Sequence, residues 1–143
     1  MNRYVVDASV AVKWFVPEIR TEFAIQLLQP ENVLLAPDLL MSEVCNTLWK
    51  KVRRGELDRD DALQCLTDLN LMPLQLYASA ELVHDALRVS TSEGIPAYDS
   101  LYLALASLLD CHMVTADARL RNSIRDATLK YRVLLLQPSD FPA

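Results

Sequence analysis

The chain has 143 residues, 52% of them hydrophobic and 23% charged, with only two glycines, which suits one packed core and excludes disorder, collagen-like repeats and a glycine-rich linker. A net charge of −5 argues against a broad basic surface for nucleic acid, although setting four acidic residues aside leaves the two signs nearly balanced and permits local basic patches. Cys45, Cys65 and Cys111 are odd in number and lack C-x-x-C spacing, so buried free thiols are expected rather than a disulfide framework or a zinc knuckle.

Residues 1–143 are expected to form a single domain. The opening run from Met1 reaches a carboxylate at Asp7, too soon for a signal peptide or a membrane span, and a cytoplasmic protein is expected. Arg3 to Val6 reads as a strand, Ala8 to Phe15 as a helix stopped by Pro17, and Thr21 to Leu28 as a second helix ending before Pro30. Val33 to Ala36 is a buried-type strand, with Pro37-Asp38 opening the next helix. From Asp38 to Arg54, Leu40, Val44, Leu48 and Val52 recur every four positions, Met41, Cys45 and Trp49 widen the stripe, and Gly55 ends it.

Asp58 and Asp61 resemble a capping pair for a helix running toward Met72 and ended by Pro73, and Leu74 to Leu76 follows as a short strand. Ser79 to Glu93 is helical with Gly94 as its stop. Pro96 opens a helix from Ala97 to Asp110 that is apolar almost all round. Met113 to Thr115 is a strand, Asp117 to Ile124 a short helix, and Val133 to Leu136 a final strand before a polar tail. Strands alternating with helices imply an α/β fold whose parallel sheet is covered on both faces.

In such a sheet the helix N-termini collect where the strands end, and ligands bind at that edge. Four acidic residues fall there: Asp7 after the first strand, Glu43 in the second turn after the Val33 to Ala36 strand, Asp99 at the start of the Ala97 helix, and Asp117 after Met113 to Thr115. Each Asp alone also suits a helix N-cap. Glu43 lies too far into its helix to cap it, and its ordinary role would be an ion pair with Lys50 or a neighbouring helix. Together, four carboxylates on one partly buried edge repel one another unless a cation compensates. An all-oxygen donor set selects Mg2+ or Mn2+ over zinc, and such ions promote phosphate-ester hydrolysis.

Val5-Val6-Asp7-Ala8-Ser9, Ser42-Glu43-Val44-Cys45-Asn46-Thr47-Leu48, Tyr98-Asp99-Ser100-Leu101-Tyr102-Leu103-Ala104-Leu105-Ala106 and Val114-Thr115-Ala116-Asp117 resemble, in order and spacing, the motifs of PIN-domain nucleases, most closely the VapC-like toxins. The resemblance covers essentially the whole chain. It implies a three-layer α/β/α sandwich with a central parallel sheet, Mg2+-dependent endoribonuclease activity, a homodimer, and inhibition by a small VapB-like antitoxin. By the same resemblance Asp7 and Asp99 are the main metal ligands, Glu43 and Asp117 complete the catalytic quartet, and Ser9, Asn46 and Thr115 are hydrogen-bonding supports.

Lys13 and Arg119, each a short step along a helix from a proposed ligand, are candidate phosphate contacts for RNA. Lys50, Lys51, Arg53, Arg54 and Arg121 are weaker ones that solvated helix faces also explain. Trp14, Trp49, Tyr98 and Tyr102 suit either base stacking or packing. His84 and His112 lack partners at metal-ligand spacing, and no glycine-rich phosphate loop or G-x-S-x-G motif occurs. Two rivals to a ribonuclease stay open: a PIN-fold module that binds metal or RNA without cutting, which the acidic charge suits, and a hydrolase of other phosphate esters.

Overall fold

The computed structural model describes residues 2–141. Its centre is a five-stranded sheet in the order β3-β2-β1-β4-β5, with every neighbouring pair parallel: β1 Asn2–Val6, β2 Asn32–Pro37, β3 Leu74–Tyr77, β4 His112–Thr115 and β5 Val133–Leu135. Parallel strands require crossovers, and helices supply them on both faces. The side-chain period of two is visible in β1. Val5 points into a larger core with Leu35, Met113 and Val133, whereas Val6 points the other way into a smaller core with Leu34, Val114 and Leu136.

The helices are α1 Ala8–Ala11, continued by a 3-10 turn Val12–Trp14, then α2 Thr21–Gln26, α3 Leu39–Arg53 and α4 Arg59–Asn70. After β3 come a 3-10 turn Ser79–Glu81, α5 Val83–Glu93, α6 Ala97–Leu108, α7 Ala118–Ser123 and α8 Ala127–Tyr131. α3, α4, α5 and α6 cover the larger core, and α2 the smaller one. The three-layer α/β/α arrangement expected from the sequence is therefore present. No helix among the described residues is long and apolar enough to cross a membrane.

Several local expectations are corrected. Pro37 ends β2, opposite Tyr77, instead of opening α3; a strand end tolerates its missing N–H. Asp58 sits at the N-cap of α4 but makes no side-chain capping bond. Cys45 is exposed while Cys65 and Cys111 are buried. The buried stripe of α3 runs Leu40, Val44, Leu48 and then Lys51, with Val52 partly buried against the same core. Between Ile124 and Val133, where no element is expected, α8 forms. Its five residues are too few to show a helical period, and it is started by Asp126, whose side chain accepts from Leu129 N at 3.0 Å.

The topology determines where a ligand can sit. β1 is followed by β2 on one side, whereas β4 returns to its other side, so the connections leaving β1 and β4 diverge at their carboxyl ends. Such a switch point leaves a crevice.

Candidate active site

Asp7 follows β1 directly and caps α1. Its Oδ1 accepts from Ser9 Oγ at 2.5 Å and from Val10 N at 3.3 Å, and its Oδ2 accepts from Thr115 Oγ1 at 2.5 Å. Asp117 follows β4 and caps α7, accepting from Arg119 N at 2.9 Å, while its own N–H donates to Thr115 Oγ1 at 3.1 Å. Ser9 Oγ accepts from Ala116 N at 2.9 Å, so hydroxyls knit the two strand ends together. Capping, the ordinary role of an Asp at a helix start, is real for both residues. It does not exclude another role, because both also line the crevice.

The crevice is an open cleft of about 600 Å3 bordered by Asp7, Glu43, Asp99 and Asp117, with Lys13, Asn46, Lys50 and Tyr98 along its walls. The four acidic residues, distant in sequence, thus share one hollow. Burial, and after it the neighbouring charges, perturb Asp7 and Asp99. Burial pushes the Asp7 carboxyl up to about 6, opposed by its bonds from Ser9, Thr115 and Val10 and assisted by the charge of Asp99. The Asp99 carboxyl is also raised, first by burial and then by the charges of Glu43 and Asp117.

Cations of the protein compensate little of this charge. Lys13 is 3.8 Å from Glu18, and Lys51 is 3.0 Å from the same carboxylate. The pair between Arg119 Nε and Asp117 Oδ1, at 3.8 Å, is the one ion pair to the quartet among the described residues. Glu43 makes no ion pair with Lys50; its Oε1 accepts from Tyr102 Oη at 2.5 Å. Asn46 borders the cleft but forms no side-chain hydrogen bond with the quartet among the described residues, unlike Ser9 and Thr115. Arg119 is almost fully exposed and lies outside the lining of the cleft.

The donor set is all oxygen, carries excess negative charge and is accessible, and these features fit a hard divalent cation. No three carboxylate, imidazole or thiol side chains among the described residues are close enough to enclose an ion by themselves.

Two residues of the site escape the sequence. Glu18 lies in the loop after Pro17, where no periodicity marks it. Tyr102 is grouped in the sequence with candidate stacking residues, yet only 1% of it is exposed and its ring belongs to the core. Its spacing of three from Asp99 on one helix is the signal that could have found it. Trp14 is likewise structural, donating from Nε1 to Ala24 O at 2.8 Å, whereas Trp49 and Tyr98 are exposed.

The sequence pattern of the PIN domain matches residues 4–123, a span that contains all four carboxylates. The chain belongs to the PIN-domain family. This PIN domain is 36% identical over 120 residues to Ribonuclease VapC3 of Pyrobaculum aerophilum, covering 82% of the chain and 92% of that relative, which sets it within the VapC ribonuclease family. A Pyrobaculum aerophilum protein of known crystal structure has the same fold, with a TM-score of 0.68, 24% identity and coverage of 94% and 91% of the two chains. So does the crystal structure of VapBC2 from Rickettsia felis bound to a DNA fragment from their promoter, with a TM-score of 0.63, 14% identity and coverage of 93% and 96%.

Proposed function

We propose that this PIN domain is a Mg2+-dependent endoribonuclease, with Mn2+ able to replace Mg2+, and that it is the toxin of a VapBC-type pair acting in the cytoplasm. The observation that carries the reading is the concentration of Asp7, Glu43, Asp99 and Asp117 on one cleft, with the long Arg119–Asp117 contact their one ion pair among the described residues. The ribonuclease relative at 36% identity supports RNA as the substrate. The VapBC2 neighbour supports a VapB-like antitoxin, and family membership supports a homodimer built from single PIN domains of residues 1–143.

In this reading Asp7 and Asp99 hold the ion, with Glu43 and Asp117 completing its surroundings. When bound, the ion supplies an acidified water and neutralises charge that develops on the scissile phosphodiester. The residues of the chain do the rest. Ser9 and Thr115 direct their protons to Asp7, which keeps its carboxylate in one orientation with lone pairs left for the cleft. Lys13 and Lys50, on the cleft wall, meet the RNA backbone and hold the reacting phosphate against the carboxylates.

The test is incubation of the purified protein with single-stranded RNA, duplex DNA and a chromogenic phosphomonoester, with Mg2+ or with a chelator, beside Asp7→Asn. Cleavage of RNA alone, lost with the chelator and with the variant, is expected. Intact RNA in the presence of Mg2+, or an Asp7→Asn protein that cuts as the parent does, overturns the reading. For the toxin role, growth arrest on expression should be relieved by co-expressing a short neighbouring antitoxin gene.

A further inference from the structure

Glu43 and Asp99 stand on different helices. α3 packs on α1, α4 and β2, and α6 packs on α5, β1, β2 and β4, so the two helices are related chiefly through β2 and not by extensive contact with each other. The bond from Tyr102 Oη to Glu43 Oε1 joins them directly and is the only side-chain hydrogen bond between α3 and α6 among the described residues. Tyr102 is anchored at both ends of its side chain. Its ring is sealed in the larger core, and its position three residues after Asp99 puts both on one flank of α6. A buried tyrosine hydroxyl needs a partner, and here the partner is a carboxylate that meets no other donor among the described residues. The bond occupies one oxygen of Glu43 and leaves the other free.

We propose that Tyr102 is a positioning residue for the divalent-cation site: through Glu43 it ties α3 to α6 and sets the spacing at which Glu43 and Asp99 share an ion. The proposal rests on the metal-dependent reading above. Tyr102 borders the cleft, but its hydroxyl is directed to Glu43, and its assigned action is to deny Glu43 its other rotamers. An outer partner of this kind typically changes metal affinity or activity by about 10–100-fold when removed.

The experiment compares the parent, Tyr102→Phe, Glu43→Ala and the double variant, with Mn2+ binding followed by electron paramagnetic resonance and thermal unfolding measured in chelator. Tyr102→Phe keeps the ring and removes only the hydroxyl, and Glu43→Ala removes its acceptor. Expected are Mn2+ binding weakened by about 10-fold or more, a fall in kcat with RNA affinity in chelator unchanged, and no added loss of Mn2+ affinity when Tyr102→Phe is placed on Glu43→Ala. Parent-like Mn2+ binding by Tyr102→Phe, or an equal loss in the Glu43→Ala background, overturns the proposal and leaves the nuclease reading intact. A parent that binds no Mn2+ overturns both.

Discussion

Thr115 Oγ1 donates to Asp7 Oδ2 at 2.5 Å across 108 positions of sequence, and the same oxygen accepts the Asp117 N–H at 3.1 Å. One fully buried hydroxyl thereby orders the carboxylate of Asp7 and the backbone of Asp117, which belong to different strand ends. Thr115→Val keeps the shape and removes both bonds. Cleavage should fall about 10–100-fold, and the unpaired buried groups should cost about 1–3 kcal/mol of stability. Thr115→Ser should recover most of both. Single-turnover kinetics and urea unfolding measure the two effects separately.

The Asp7 carboxyl, raised from 3.8 to about 6, makes metal-free stability depend on pH. The folded protein holds this proton more tightly than the unfolded chain, so the contribution is fully present below pH 3.8 and is lost as pH rises through about 6. Above that pH, ionised Asp7 strains the fold. Asp7→Asn in chelator should therefore be more stable than the parent at pH 8, by about 1–3 kcal/mol, and the difference should shrink to near zero by pH 4. Denaturant titrations at the two pH values check this, and a variant less stable than the parent at pH 8 contradicts it.

Lys13 faces the cleft and is only loosely held by Glu18 at 3.8 Å, so an RNA phosphate can take it over. Replacing it with glutamine in an Asp99→Asn background should weaken RNA binding without altering sequence preference. The slope of log K against log salt should decrease in size by about 0.7, the value for one single-strand phosphate contact. Fluorescence anisotropy at several salt concentrations reads the slope.

Glu93, at the end of α5 and 5% exposed, accepts the Arg125 N–H at 2.7 Å and the Asp126 N–H at 3.3 Å, clamping the segment that starts α8. Glu93→Ala should cost about 1–3 kcal/mol, seen as a lower unfolding midpoint. Cleavage by the folded fraction should be unchanged, since this clamp lies outside the cleft lining. Glu93→Gln, which keeps one acceptor, should lose less.

The order of elements was legible because each carries its own punctuation. The four-residue apolar period of α3, the left-handed Gly94 closing α5 and the buried run Ser100 to Ala106 of α6 are local properties of the chain. α8 was illegible because it is five residues long and the segment leading into it is held by a distant helix, through the bonds from Arg125 and Asp126 N–H to Glu93. Pro37 misled for a related reason: the same residue suits a helix start and a strand end, and pairing with β3 chose the latter.

By itself the sequence determined the alternation of strands and helices and the four carboxylates at strand and helix ends, since hydrophobic period and capping chemistry act over a few residues. It could not show how those carboxylates are oriented or neutralised. The tertiary structure alone decided that Glu43 is met by Tyr102 instead of Lys50, that Thr115 serves two acids at once, and that Lys51 turns inward to Glu18. Hydrogen bonds and burial depend on distances of a few tenths of an ångström between segments far apart in the chain, and only the packed fold brings such segments together.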